Sequence, residues 1–261
     1  MPDPFDVLSQ PKRQRHTRLV FLGVLLGGAV SLLAPLEATD KWPQFRGPAA
    51  GVADDDPALP DRWSETENVA WKTTIPGMGW SSPVVWGDSV FVTSAISSGQ
   101  EPQPVKGLYD PGDDFGKTRP AAEHRWMAHA IDFNTGKIRW SRELRVGLPP
   151  MLRHIKNSFS SETPVTDGER VYVYFGNIGL LAALDMSGKT LWTKEIEPGN
   201  GPQEFSPAAS PILHNGRLYI VSDNTKASFL FAFDAKTGKE LWRTPRDEVE
   251  NWATPFVWEH G

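Results

Sequence analysis

The sequence predicts an all-β fold, a β-propeller of four-stranded antiparallel blades preceded by an N-terminal signal or anchor helix. Three observations point there. Gly136, Gly188 and Gly238 lie 52 and 50 residues apart, and Trp140, Trp192 and Trp242 keep the same two intervals. Turn tetrapeptides recur between runs of β-branched and aromatic residues, the pattern of short strands joined by hairpins. The 261 residues include 23 Gly, 23 Pro and 11 Trp, and no long stretch carries the 3.6-residue apolar period of an amphipathic helix.

In chain order, residues 1–38 come first. Lys12, Arg13, Arg15 and Arg18 precede an apolar run from Leu19 to Leu36, and Ala38 stands just before charged sequence. A basic region, an apolar region and a small residue describe a secretory signal peptide. The run is also long enough to stay as a signal anchor, which would tether the protein to a membrane through residues 19–36. Either outcome places the rest outside the cytoplasm, in the periplasm or another extracytoplasmic space. Residues 39–67 read as an extended segment, and residues 68–261 as the propeller.

Three units share one layout. The first has SSPVVWGDSVFVTS (81–94) and, after a polar insertion at about 97–124, AHAIDFNTGKIRW (128–140). The second pairs SETPVTDGERVYVYFG (161–176) with LAALDMSGKTLW (181–192), and the third pairs ASPILHNGRLYIVSD (209–223) with LFAFDAKTGKELW (230–242). WATPFVWEHG (252–261) opens a fourth. WGDS, TDGE and HNGR supply the first hairpin of each unit, NTGK, MSGK and KTGK the second, because Gly and Asn accept the positive φ such turns require. The Trp four residues after the second-turn Gly falls on the outer strand, where its ring fills the gap to the next blade.

These residues resemble the repeat of the pyrroloquinoline-quinone-type β-propeller superfamily, A-x-D-x-x-T-G-x-x-x-W. It is matched at Ala130-Asp132-Thr135-Gly136-Trp140 and Ala232-Asp234-Thr237-Gly238-Trp242, and with Ser for Thr at Ala183-Asp185-Ser187-Gly188-Trp192. The opening WPQFRGP (42–48) is similar to the start of exported, uncharacterised members. Asn68-Val69-Ala70-Trp71-Lys72 resembles an outer strand that, in that superfamily, completes the last blade. About three complete blades make an incomplete ring, since closed propellers have roughly four to eight. The expectation is therefore a fragment of a larger propeller.

Antiparallel strands put the two tight turns of every unit on one face and the longer, variable connections on the other, where binding groups usually sit. On that loop face the candidates are Trp80; Lys156, Asn157, Ser158 and Glu162; Asn177; Glu204; Asp223 and Asn224; Arg246 and Asp247; and Trp252. Trp80, Ser158, Glu162 and Trp252 precede inner strands and are expected to ring a central cleft. His154 falls in the same stretch. Asp132, Asp185 and Asp234 recur once per unit and read as turn residues rather than catalytic ones. Asp110, Asp113 and Asp114 lack the spacing of a calcium loop and read as an acidic insertion. No metal site is predicted.

Charge and composition narrow the partners. Residues 39–261 hold 23 basic and 29 acidic residues and no basic run, so nucleic acid is excluded as a partner class. Cys is absent, which removes disulfides, thiol nucleophiles and lipid attachment through Cys. No nucleophile elbow, zinc-protease motif or phosphate loop occurs. The expected function is a non-catalytic exported binding or scaffold protein without a cofactor, engaging a protein, peptide or glycan through the loop face. The related outer-membrane assembly propellers offer that model, although their lipid-bearing Cys is missing here. The alternative implied by the resemblance is a fragment of a pyrroloquinoline-quinone-dependent dehydrogenase with calcium, in which Glu162, Asn177, Asp223 and Arg246 stand in for cofactor contacts.

Overall fold

The computed structural model describes residues 41–53, 55–101, 117–197 and 205–260. In chain order the strands are β1 (Lys41–Trp42), β2 (Val84–Trp86), β3 (Ser89–Ser97), β4 (Lys117–Thr118), β5 (His124–Asp132), β6 (Ile138–Gly147), β7 (Arg153–His154) and β8 (Val165–Thr166). There follow β9 (Arg170–Phe175), β10 (Leu180–Asp185), β11 (Thr190–Glu195), β12 (Ile212–His214), β13 (Arg217–Ser222), β14 (Ser228–Asp234) and β15 (Glu240–Arg246). They make one five-stranded sheet in the order β1-β2-β3-β5-β6, two four-stranded sheets, β8-β9-β10-β11 and β12-β13-β14-β15, and a two-stranded sheet, β4-β7. All pairings in them are antiparallel. The fold is thus all-β, with sheets that resemble propeller blades, and no closed barrel is present among the described residues. Among those residues no helix is long and apolar enough to cross a membrane, and the expected signal or anchor over 1–38 lies outside them.

Period-two patterning buries both faces of the second sheet. Val171, Val173 and Phe175 of β9, with Leu180, Ala182 and Leu184 of β10, pack toward Val84, Phe91 and Trp126 of the first sheet. The alternate residues Tyr172, Tyr174, Leu181 and Ala183 pack toward Leu218, Ile220, Phe231 and Phe233 of the third. A one-residue slip would exchange these two sets, so the register is fixed by both neighbours. The inner strand β8 touches β2 on one side and β12 on the other, so the three inner strands converge.

The Gly–Trp repeat is the joint between neighbouring sheets. Trp140 stacks on Gly188 and donates Nε1–H to the Met186 carbonyl at 2.9 Å, and Trp192 stacks on Gly238 and donates to the Ala235 carbonyl at 3.2 Å. A Cβ on Gly238 would fall 2.6 Å from the Trp192 ring, so the ring and the positive φ both demand glycine. Trp71 seats on Gly136 in the same way and donates to the Phe133 carbonyl at 2.7 Å. The expected strand over residues 68–72 does not form, because no described strand lies beside it to pair with. Each turn Asp is structural, as the repeat implied: Asp132 Oδ1 accepts Asn134 and Thr135 N–H, and Asp185 and Asp234 repeat the pattern.

Two glycines separate the costs. Gly216 has φ +71° with nothing near its missing Cβ, whereas Gly238 has φ +70° beneath Trp192. Gly216→Ala is expected to cost about 1 kcal/mol, from the backbone conformation alone. Gly238→Ala should cost roughly 2–4 kcal/mol, because overpacking is added. Urea titrations followed by Trp fluorescence measure both, and equal losses would show that the Trp192 stack contributes nothing.

Candidate functional site

The loop-face ends of the inner strands are linked by a hydrogen-bonded belt. Every unit begins its inner strand with Ser or Thr followed by Pro, at Ser82-Pro83, Thr163-Pro164, Ser210-Pro211 and Thr254-Pro255. Ser82 N–H donates to Thr163 Oγ1 at 3.0 Å, Thr163 N–H to Ser210 Oγ at 2.9 Å, and Ser210 N–H to Thr254 Oγ1 at 2.9 Å. Pro has no N–H, so the preceding amide and hydroxyl are the groups available at the strand start, and each of these three amides donates to the hydroxyl of the next unit. The Pro recurrence is visible in the sequence, but the hydroxyl before it carries the link.

Residues 157–163 turn inward beside this belt. Trp80 N–H donates to the Ser160 carbonyl, Ser160 Oγ–H donates to Thr93 Oγ1 at 2.8 Å, and the Phe159 carbonyl accepts both Trp126 Nε1–H at 3.0 Å and Asn177 Nδ2–H at 2.7 Å. Glu162 lies under the β9–β10 turn. Its Oε1 accepts Gly176 N–H at 2.8 Å and its Oε2 accepts Ser161 N–H at 3.3 Å. Burial pushes its carboxyl up to about 8 despite those bonds, so it holds its proton at neutral pH. Asn177 is also buried, and its Oδ1 has no partner.

The candidates divide by environment. Ser158 and Glu162 are buried rather than lining an open cleft, because their segment satisfies the inward-facing amides. Trp80 and Trp252 stay exposed, and Trp252 Nε1–H donates to the Ser206 carbonyl. Asn157 Oδ1 accepts the Ser158 amide, and Lys156 is half-buried next to it. Asn224 closes a local turn, its Oδ1 accepting the Lys226 and Ala227 amides. Asp223 is buried and accepts a two-pronged guanidinium from Arg246, at 2.8 and 3.2 Å, so these two hold each other. Asp247 is exposed. Glu204, Asp110, Asp113 and Asp114 lie outside the described residues.

Two buried polar groups escaped the sequence reading. Arg153 is 1% exposed, donates to the carbonyls of Ile155 and Asn157, and pairs with Glu101, which also meets His124 Nε2 at 2.9 Å. Burial works against the Glu101 charge, but hydrogen bonds from Arg153 and Ser97 and the nearby positive charges hold its carboxyl below the ordinary value. An Arg in a Pro-rich connection reads as a surface residue, so nothing local announced it. His129, between Ser94 Oγ at 2.9 Å and Ser141 Oγ at 2.8 Å, bridges three strands of the first sheet, and burial lowers its pKa.

A calcium-bound quinone can be tested against these groups. Asn177 Oδ1 is a free buried oxygen, but both carboxyl oxygens of Glu162 are already engaged by backbone amides. Among the described residues no three His, Asp or Glu side chains stand close enough together to hold a metal ion. Those residues therefore do not by themselves fit the calcium of such a group.

A family model described as "Outer membrane protein assembly factor BamB" (PQQ_2) matches residues 52–250. The dehydrogenase subunit of the quinone alcohol dehydrogenase of Komagataeibacter europaeus is 25% identical over 94% of this chain and 34% of its own length. The outer membrane protein assembly factor BamB of Moranella endobia is 30% identical over 44% of this chain and 26% of its own length. Among solved structures, the quinohemoprotein alcohol dehydrogenase of Comamonas testosteroni aligns with a TM-score of 0.44 at 19% identity, over 65% of this chain and 21% of that one. The chain thus spans about a third of the length of two quinone alcohol dehydrogenase subunits that it matches. The expectation of a protein without a cofactor is corrected by this similarity, which runs through nearly the whole chain to a quinone-dependent enzyme.

Proposed function

The chain belongs to the PQQ_2 family, the one described as outer membrane protein assembly factor BamB, and we propose that its three larger sheets are blades of an extracytoplasmic propeller of the quinone-dependent dehydrogenase kind. The observation that carries this reading is the similarity to quinone alcohol dehydrogenase subunits over 94% and 89% of the chain. The reading replaces the non-catalytic scaffold as the first choice, because the two dehydrogenase subunits match 94% and 89% of the chain whereas the BamB of Moranella endobia matches 44%. A quinone supplies the electron-accepting group for oxidation of an alcohol.

On this reading the chain's own contribution is positional. The belt of Ser/Thr-Pro hydroxyls sets the spacing of the inner strands at the loop face. Asn177 presents the buried, unpartnered Oδ1 there, an acceptor for an N–H of a bound ring. Glu162, protonated at neutral pH, offers a hydroxyl rather than a charge.

The test is retention of pyrroloquinoline quinone, added with calcium to protein expressed from its full reading frame, read by its absorbance after gel filtration and by dye-linked oxidation of ethanol. The expected result is a retained quinone, with Asn177→Ala weakening retention about tenfold, equivalent to about 1.4 kcal/mol. No quinone and no dye reduction in a correctly folded protein would overturn the proposal, and capture of a protein partner by the same preparation would restore the scaffold reading.

A further inference from the structure

The motif WPQFRGP is explained by neither the repeat nor the candidate site, yet it reaches all three inner strands. Lys41 and Trp42 pair with Trp86 and Val85, so β1 extends the first sheet inward past its own inner strand. The next residue passes to the second sheet, where the Pro43 carbonyl accepts Thr166 N–H at 2.9 Å. The one after reaches the third, where Gln44 Oε1 accepts Leu213 N–H at 3.4 Å. The three amide and ladder contacts lie next to the tight turns at 87–88, 167–169 and 215–216, at the end of the inner strands opposite the belt.

The segment then folds back on itself. Gly47 N–H donates to the Gln44 carbonyl at 2.9 Å, and Gln44 Nε2–H returns to the Gly47 carbonyl at 3.3 Å. Gly47 is buried at φ +66° over the Trp42 ring, and a Cβ there would come within 2.7 Å of that ring. The residues of the motif thus divide the work. Trp42 is the base, Gly47 is the only residue that fits over it, and Pro43 and Gln44 are the links across. A cavity of about 510 Å3 lies between this segment, Val165, Leu213, His214 and residues 254–257.

We propose that residues 41–51 are a strap that covers the tight-turn ends of the three inner strands and shields them there from solutes. Strand addition to a sheet edge is a common recognition mode for an extended peptide, and here the peptide is the chain's own. The proposal is independent of the quinone reading, since it concerns access and not what is bound.

The chain has no Cys, so a single introduced thiol reports access. Leu213→Cys, beneath Gln44, is treated with a maleimide in the full chain, alone and combined with Gly47→Val or with Gln44→Ala. Asp247→Cys, exposed on the loop face, is the control. The expected result is slow labelling at position 213, accelerated at least about tenfold by either strap substitution, with unchanged labelling at 247. Faster hydrogen exchange of the Thr166 amide should accompany it. Labelling at 213 as fast as at 247 in the otherwise unaltered chain would overturn the proposal. So would slow labelling that neither substitution changes. Should Gly47→Val fail to fold, shown by loss of its circular dichroism, Gln44→Ala decides, because it removes one hydrogen-bonding side chain and adds no volume.

Discussion

Glu162→Gln is expected to abolish a loss of stability that the unaltered protein undergoes between about pH 5 and pH 8. The carboxyl has an ordinary value of 4.5 and is pushed up to about 8 in the folded protein by burial. Between those values the unfolded chain has released the proton and the folded chain still holds it. Folding then takes up a proton, so stability falls as pH rises, by at most about 1.4 kcal/mol per pH unit. The contribution is fully present below the unfolded value and is lost as pH passes through the folded one. Over the window the difference is on the order of 4 kcal/mol. Burial also pushes up the Tyr174 hydroxyl, and the adjacent Glu162 carboxyl adds to that shift, so the phenol gives no compensating charge. Gln keeps the shape and an oxygen for the Gly176 amide while removing the proton equilibrium. Urea titrations at several pH values check this: the difference between the two proteins should slope across the window. Parallel curves would show that Glu162 is ionised when folded, and would make it available as a carboxylate ligand at the loop face.

Much of the fold was legible because it depends on local chemistry repeated at fixed spacing. Hairpin turns need positive φ, and strands buried on both faces need apolar residues at successive positions, so Gly216, Gly238 and the Val171–Phe175 run could be read directly. The Trp role was also readable, since a large ring four residues past a bare Gly has one neighbour it can cover. The site was less legible, for a physical reason. The polarity of Ser158, Glu162 and Asn177 was visible, but whether a loop polar group meets water or a neighbouring sheet depends on contacts across tens of residues. Thr163 belongs with Ser210, 47 positions away, and Asn177 with Phe159. Arg153 shows the limit most plainly: its partners are carbonyls of its own loop and a carboxylate 52 positions earlier, and only the folded chain brings them together. The WPQFRGP motif was noticed as a resemblance, but its reach across three inner strands follows from their convergence, which no segment alone encodes.

Arg246→Met should destabilise the protein more than Asp223→Asn, although the two substitutions break the same ion pair. The Asp223 side chain is 0% exposed, whereas that of Arg246 is 32% exposed. Removing the arginine strands a carboxylate away from water with its two charged hydrogen bonds gone, a loss expected at about 3–5 kcal/mol. Removing the charge of Asp223 leaves a guanidinium that solvent still reaches and that lies 3.9 Å from Glu248, so the loss should be nearer 1–2 kcal/mol, in the range of a net hydrogen bond. The doubly substituted chain should recover part of the Arg246→Met loss, because the amide at position 223 leaves no charge to strand. A double-mutant cycle by urea denaturation measures all three terms. Equal losses for the two single variants would mean that water enters the Asp223 site. The asymmetry also decides what these residues do at the loop face. If it holds, Asp223 is consumed by the fold, and weaker ligand retention in Arg246→Met should scale with the fraction unfolded. A retention loss in fully folded Arg246→Met would instead return Arg246 to the surface that meets the ligand.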